Sequence, residues 1–125
     1  MTAGFCFSAR LILKARGKIE CMKLITLFLT CADQEEAQKI ADEIIDKKLA
    51  ACVRLTDVNS TYWWNGKKEN SQEVMLIMES IESKFEEIET MVRGLHSYDT
   101  FVLTGYQIAK ASAGVQDWVE KELRV

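Results

Sequence analysis

The chain has 125 residues, 48% of them apolar and 28% charged, with a formal net charge of -3. That length suits one domain with one core, and no apolar run approaches the roughly 20 residues needed to span a bilayer. Residues 1–21 carry Arg10, Lys14, Arg16 and Lys18 against Glu20, which leaves 12 basic and 18 acidic groups for the rest. An acidic body without a basic stripe argues against nucleic acid as a partner, because phosphate contacts supply most of that affinity. The four cysteines, Cys6, Cys21, Cys31 and Cys52, form no CxxC pair and there is a single histidine, so a zinc-finger arrangement fails. A chain able to build an ordinary core needs no disulfide framework, and free thiols in a reducing, cytoplasmic compartment are expected.

Residues 1–21 (MTAGFCFSARLILKARGKIEC) differ in character from the rest of the chain. Arg10 splits their apolar pieces, so there is no unbroken signal-peptide core. We expect this extension to lie outside the core fold, with residues 22–125 forming a single domain. Lys23 to Thr30 (KLITLFLT) is a continuous apolar run of strand length, the pattern of a strand buried on both faces. Asp33 with Glu36 three residues on is a capping-box pattern that opens a helix. Ala37, Ile40, Ala41, Ile44 and Ile45 then form one apolar stripe, predicting a helix from Gln34 to Lys48.

Two strand-like runs, Val53 to Trp64 and Glu73 to Met78, flank Asn65-Gly66, the strongest short-range hairpin signal. The arms are long enough to project beyond a small sheet, where Tyr62, Trp63 and Trp64 would be wet unless something covers them. Ser80 or Ser83 is expected to cap a second helix. Within it Ile81, Phe85, Ile88, Val92 and Leu95 recur at helical spacing, and it ends near Gly94-Leu95-His96. Phe101 to Ile108 reads as the last strand, and Val115, Trp118, Val119 and Leu123 mark a short terminal helix.

The order is therefore β-α-β-β-α-β plus a helix. Two right-handed crossovers turn this into an α+β, ferredoxin-like split βαβ fold: a four-stranded antiparallel sheet with both main helices on one face. Yet Leu24 to Leu29 and Val74 to Met78 put apolar groups on both faces. At about 25 cal/mol per Å2, leaving them wet forfeits several kcal/mol, and exposed patches of that size mark interfaces. A homo-oligomer packed through its open sheet faces is therefore expected.

The segments LAAC (Leu49 to Cys52), YWWNGK (Tyr62 to Lys67), Glu73-Val74 and Leu95-His96-Ser97-Tyr98-Asp99 together resemble the CutA-type divalent-cation tolerance proteins, in order and over about residues 23–123. The resemblance implies a ferredoxin-like homotrimer whose hairpin arms reach neighbouring subunits. It further implies tolerance of copper and other divalent cations without enzymatic activity, weak metal binding near subunit junctions, and no organic cofactor. The family pattern is His-Pro-Tyr-Glu with a second proline and an acid soon after, whereas here His96 is followed by Ser97 and neither proline is present. Where some members carry a cysteine this chain has Leu29, with Cys31 two positions on. Both departures fall among the residues that the resemblance implies as metal ligands.

His96, Cys31 and Asp99 are the candidate metal ligands. One imidazole per chain is few for a borderline metal such as copper or zinc, but a trimer supplies three. His96 otherwise suits a helix C-terminus, bonding the last carbonyls. Cys31 is expected just before a helix N-terminus, a position that lowers a thiol pKa; otherwise it packs a βα turn, as Cys52 packs the next strand. Tyr62, Trp63 and Trp64, and Trp118 on the terminal helix, are the expected trimer-interface anchors, since such residues dominate contacts. A ligand cleft served by Lys67 is the alternative for the arm. No catalytic triad, phosphate-gripping glycine loop or paired-carboxylate site is present, which excludes the common enzyme classes. The remaining alternative function is a PII-like signalling or scaffold trimer that binds a small ligand between subunits.

Overall fold

The computed structural model describes residues 22–123, so the expectation for residues 1–21 lies outside the described residues. Strand β1 (Leu24–Cys31) is central because it is apolar apart from Thr26 and Thr30, both on the face away from the helices. Leu27, Leu29 and Cys31 are buried on the helix side, while Phe28 and Thr30 are half-buried on the other. The sheet runs β2-β3-β1-β4 with every pairing antiparallel, the ferredoxin-like order expected from β-α-β-β-α-β.

Helix α1 (Gln34–Asp46) starts at Asp33, whose carboxylate accepts the Glu36 N–H at 2.8 Å. It buries Ala37, Ile40, Ala41 and Ile44 against the sheet, but Ile45, at the edge of the predicted stripe, is 42% exposed. The helix stops two residues before Lys48. Lys48 adopts φ +56°, and the N–H groups of Lys48 and Leu49 turn back to the carbonyls of Ile45 and Ile44. That is a Schellman closure with lysine in the left-handed position usually given to glycine.

Strands β2 (Cys52–Trp64) and β3 (Lys67–Ile81) pair from Cys52 opposite Glu79 to Trp64 opposite Lys67. Asn65 (φ +52°) and Gly66 (φ +77°) form the two-residue turn, with both φ positive as a type I′ hairpin requires. Pairing of β3 with β1 ends at Val74 opposite Cys31. Residues 58–73 therefore leave the sheet as a free two-stranded arm, with Trp63 74% and Trp64 54% exposed.

A 3-10 turn (Glu82–Lys84) leads into α2 (Phe85–Leu95), and neither serine caps it. Ser80 is instead fully buried, donating its hydroxyl to the Leu49 carbonyl at 2.6 Å. Ile88 and Val92 fill the core beside α1. Strand β4 (Leu103–Gln107) is shorter than expected, and Gly105 lets the Phe85 ring approach it, at 3.3 Å from where a Cβ would stand. Helix α3 (Val115–Leu123) packs Val119 and Leu123 on Leu24 and Ile81, a second small core at one end of the sheet's other face. Beyond it that face is open, with a shallow hollow lined by Phe28, Thr30, Met75, Val102, Thr104 and Tyr106.

Candidate metal centre

His96 is the C-cap of α2, its backbone N–H bonded to the Val92 carbonyl at 2.8 Å. Its side chain is completely buried. Nδ1 accepts the N–H of Tyr98 at 3.0 Å, which leaves Nε2 to carry the proton and donate it to the Thr30 carbonyl at 2.8 Å. The imidazole stacks on Phe101 (centroids 5.3 Å apart) and tilts against Tyr98 (4.8 Å), and the Arg93 guanidinium lies over the Phe101 ring, 4.8 Å from its centroid. The ring thus bonds a strand carbonyl, and it is the backbone N–H of His96 that closes the helix.

Glu36 stands 3.6 Å from Nδ1 through Oε2. The same oxygen accepts the Ala32 N–H at 2.9 Å, and Oε1 accepts the Ser97 N–H at 2.8 Å. In a capping box this carboxylate would return to Asp33; here it bridges the start of α1 and the end of α2. Burial pushes its pKa up, but the Ala32 and Ser97 donors and the nearby imidazole outweigh that and hold it below the usual value.

Cys31 completes the group. Its Sγ, a carboxylate oxygen of Glu36 and a ring nitrogen of His96 all lie within 4.8 Å of one another. The expectation of a lowered thiol pKa is overturned. Burial first, then the charges of Glu36, Asp33 and Glu73, push it up to about 12, so the helix N-terminus is outweighed by desolvation and three carboxylates. The thiol stays protonated.

Of the three predicted ligands, the structure brings Cys31 and His96 together. Asp99 is exposed on the loop after α2 and is not part of the cluster. Glu36 was missed because its spacing from Asp33 explained it as a cap. Its position five residues after Cys31, in the first turn of the helix that follows, is the available signal. Sulfur, imidazole nitrogen and carboxylate oxygen together suit a borderline cation such as copper or zinc. Ligand atoms on a tetrahedral ion with bonds of roughly 2.0–2.3 Å stand about 3.3–3.8 Å apart, so the three groups have to draw closer together to hold one. Tyr62, Trp63 and Trp64 stay together on the arm, and Trp118 is 41% exposed on α3.

Residues 25–122 match the family model of the CutA1 divalent ion tolerance protein. The chain belongs to that family. A curated relative, the divalent-cation tolerance protein CutA of Archaeoglobus fulgidus, is 34% identical over 95 residues, covering 76% of this chain and 93% of its own. The solved structure described as the periplasmic divalent cation tolerance protein CutA from Archaeoglobus fulgidus superposes with a TM-score of 0.79 at 32% identity. It covers 81% of this chain and 99% of that one. CutA1 from Oryza sativa superposes with a TM-score of 0.80 at 28% identity over 83% and 96%. The family is one of cation tolerance and is not known as an enzyme family, and the four-stranded α+β fold is shared with these structures. Among the described residues, no helix is long and apolar enough to cross a membrane.

Proposed function

We propose that this protein serves divalent-metal response, copper foremost, as a non-enzymatic homotrimer that binds the cation weakly. The observation that carries the reading is the donor set of Cys31, Glu36 and His96 within 4.8 Å. Weakness follows from its chemistry. The thiol must give up a proton held up to about 12, and His96 and Glu36 already serve Tyr98, Thr30, Ala32 and Ser97. Binding then releases protons and strengthens with pH. The raised thiol pKa also supports a non-catalytic role, since a cysteine nucleophile needs the opposite shift. Asp99 remains a proposed outer ligand, reachable only by movement of its loop or from a neighbouring subunit.

The trimer reading is supported by the half-buried Phe28, Met75 and Ile77 on the uncovered sheet face, together with the exposed Tyr62, Trp63, Trp64 and Trp118. A cytoplasmic location is supported by Cys31 and Cys52 being free thiols. Calorimetry with copper on the wild type, Cys31→Ser and His96→Ala tests the metal site, with heat expected from the wild type and little from either variant. Equal heats from all three would remove the cluster. Light scattering at micromolar concentration tests the assembly, and a mass near the 14.3 kDa of one chain would defeat it.

A further inference from the structure

We propose that Tyr98 couples occupancy of the Cys31–Glu36–His96 cluster to the order of the hairpin arm. The inference rests on the metal-binding reading above and adds a consequence that binding alone does not require. Tyr98 is held at both ends. Its N–H occupies the Nδ1 lone pair of His96 at 3.0 Å, and its ring lies against the imidazole at 4.8 Å. Its hydroxyl donates to Glu73 Oε2 at 2.8 Å.

Glu73 stands at a mechanically sensitive place. It pairs with Val58 one step beyond Val74, the last residue of β3 opposite β1. It is therefore the first residue of the arm free of the sheet, yet its side chain is tucked in and it is only 8% exposed. A carboxylate offers only acceptors, so the hydroxyl facing it is the donor. A buried carboxylate that loses such a donor carries its desolvation uncompensated.

A neutral imidazole offers one lone pair, and here Tyr98 holds it. A cation taken by Nδ1 must release the Tyr98 N–H, and Tyr98 can then withdraw its hydroxyl from Glu73. The base of the arm loosens. The link is reciprocal: a contact that fixes the arm holds Tyr98 on His96 and weakens cation binding by the same factor. The Glu36 bonds to Ala32 and Ser97 run to the ends of the helices, while Cys31, paired with Val74 beside Glu73, offers a second route that Tyr98→Phe leaves intact.

The test combines zinc calorimetry with amide hydrogen exchange of the full chain, following residues 56–60 and 71–75. In the wild type, zinc should give heat, and exchange at the arm base should quicken roughly tenfold, the scale of one hydrogen bond to a charged group. In Tyr98→Phe, zinc should still bind, while the arm base exchanges fast from the outset and does not respond. Glu73→Ala cuts the same link from its other end and should be equally silent, which covers a poorly folding Tyr98→Phe. Zinc heat with an unchanged wild-type arm overturns the coupling alone, as does an arm that still responds in both variants. Absence of heat with both zinc and copper in the wild type overturns the metal reading and the coupling with it, and heat with copper alone moves the same exchange test to copper.

Discussion

The Nε2 of His96 lies 2.8 Å from the carbonyl oxygen of Thr30, joining the last turn of one helix to the penultimate residue of the central strand. Sixty-six residues separate the two in sequence. The bond needs a proton on Nε2, the arrangement that the Tyr98 N–H on the other nitrogen selects in the neutral ring. His96 is thus a structural fastener as well as a candidate ligand.

His96→Ala should therefore cost about 2–4 kcal/mol, through an empty space between Phe101 and Tyr98 and an unpaired Thr30 carbonyl. Urea unfolding in metal-free buffer with chelator reads this directly. A loss below about 0.5 kcal/mol, the range of ordinary surface substitutions, would show that the ring is not a fastener.

Glu36 should set an acid limit on stability. Its folded pKa is held below the ordinary 4.5, so its contribution is present above that value and is lost as pH falls through the lower folded one. Glu36→Gln keeps an acceptor for only one of the two N–H groups and should cost about 1–2 kcal/mol near neutrality. The gap between variant and wild type should narrow on acidification below about pH 4, as followed by urea midpoints.

Cys31 should act at the alkaline end. Its folded pKa is raised from 9.0 to about 12, so its contribution is complete below 9.0 and falls away as pH rises toward 12. Wild type should lose stability over that window faster than Cys31→Ala does. Iodoacetamide should label Cys31 in urea but not in the native protein at pH 8, and rapid native labelling would contradict the burial.

The arm's turn gives a purely conformational prediction. Among the described residues nothing lies within 4 Å of a Cβ placed on Gly66, so Gly66→Ala meets none of them and suffers the positive φ of +77°. The expected loss is roughly 1 kcal/mol, with Asn65→Gly nearly neutral. Thermal unfolding of both variants checks the order.

What could be read from the chain was whatever local chemistry decides. Asn65-Gly66 announced a turn with two positive φ angles, and both are there. Asp33 announced a helix start and caps it. Misreadings arose where a distant partner claimed a group. Glu36 looked like the second half of a capping box, but Ser97, 61 residues on, takes one of its oxygens. Ser80 looked like a cap and is spent on Leu49. Cys31 looked activated by a helix terminus, but the tertiary fold buries it and places Glu36, Asp33 and Glu73 close enough to reverse the shift. Asp99 is implied as a ligand by the family resemblance of its segment, but the loop after the helix leaves it exposed to solvent.

The double use of Glu36 also bears on how the chain folds. One carboxylate satisfies the N–H of Ala32 and the N–H of Ser97. The Ala32 bond is local, but the second carboxylate oxygen finds its donor only when the end of the second helix arrives. That second bond waits on a long loop closure, whose entropy must be overcome before the contact repays it. The two halves of the βαβ repeat should then become fully protected together, in one late kinetic phase, and not in chain order.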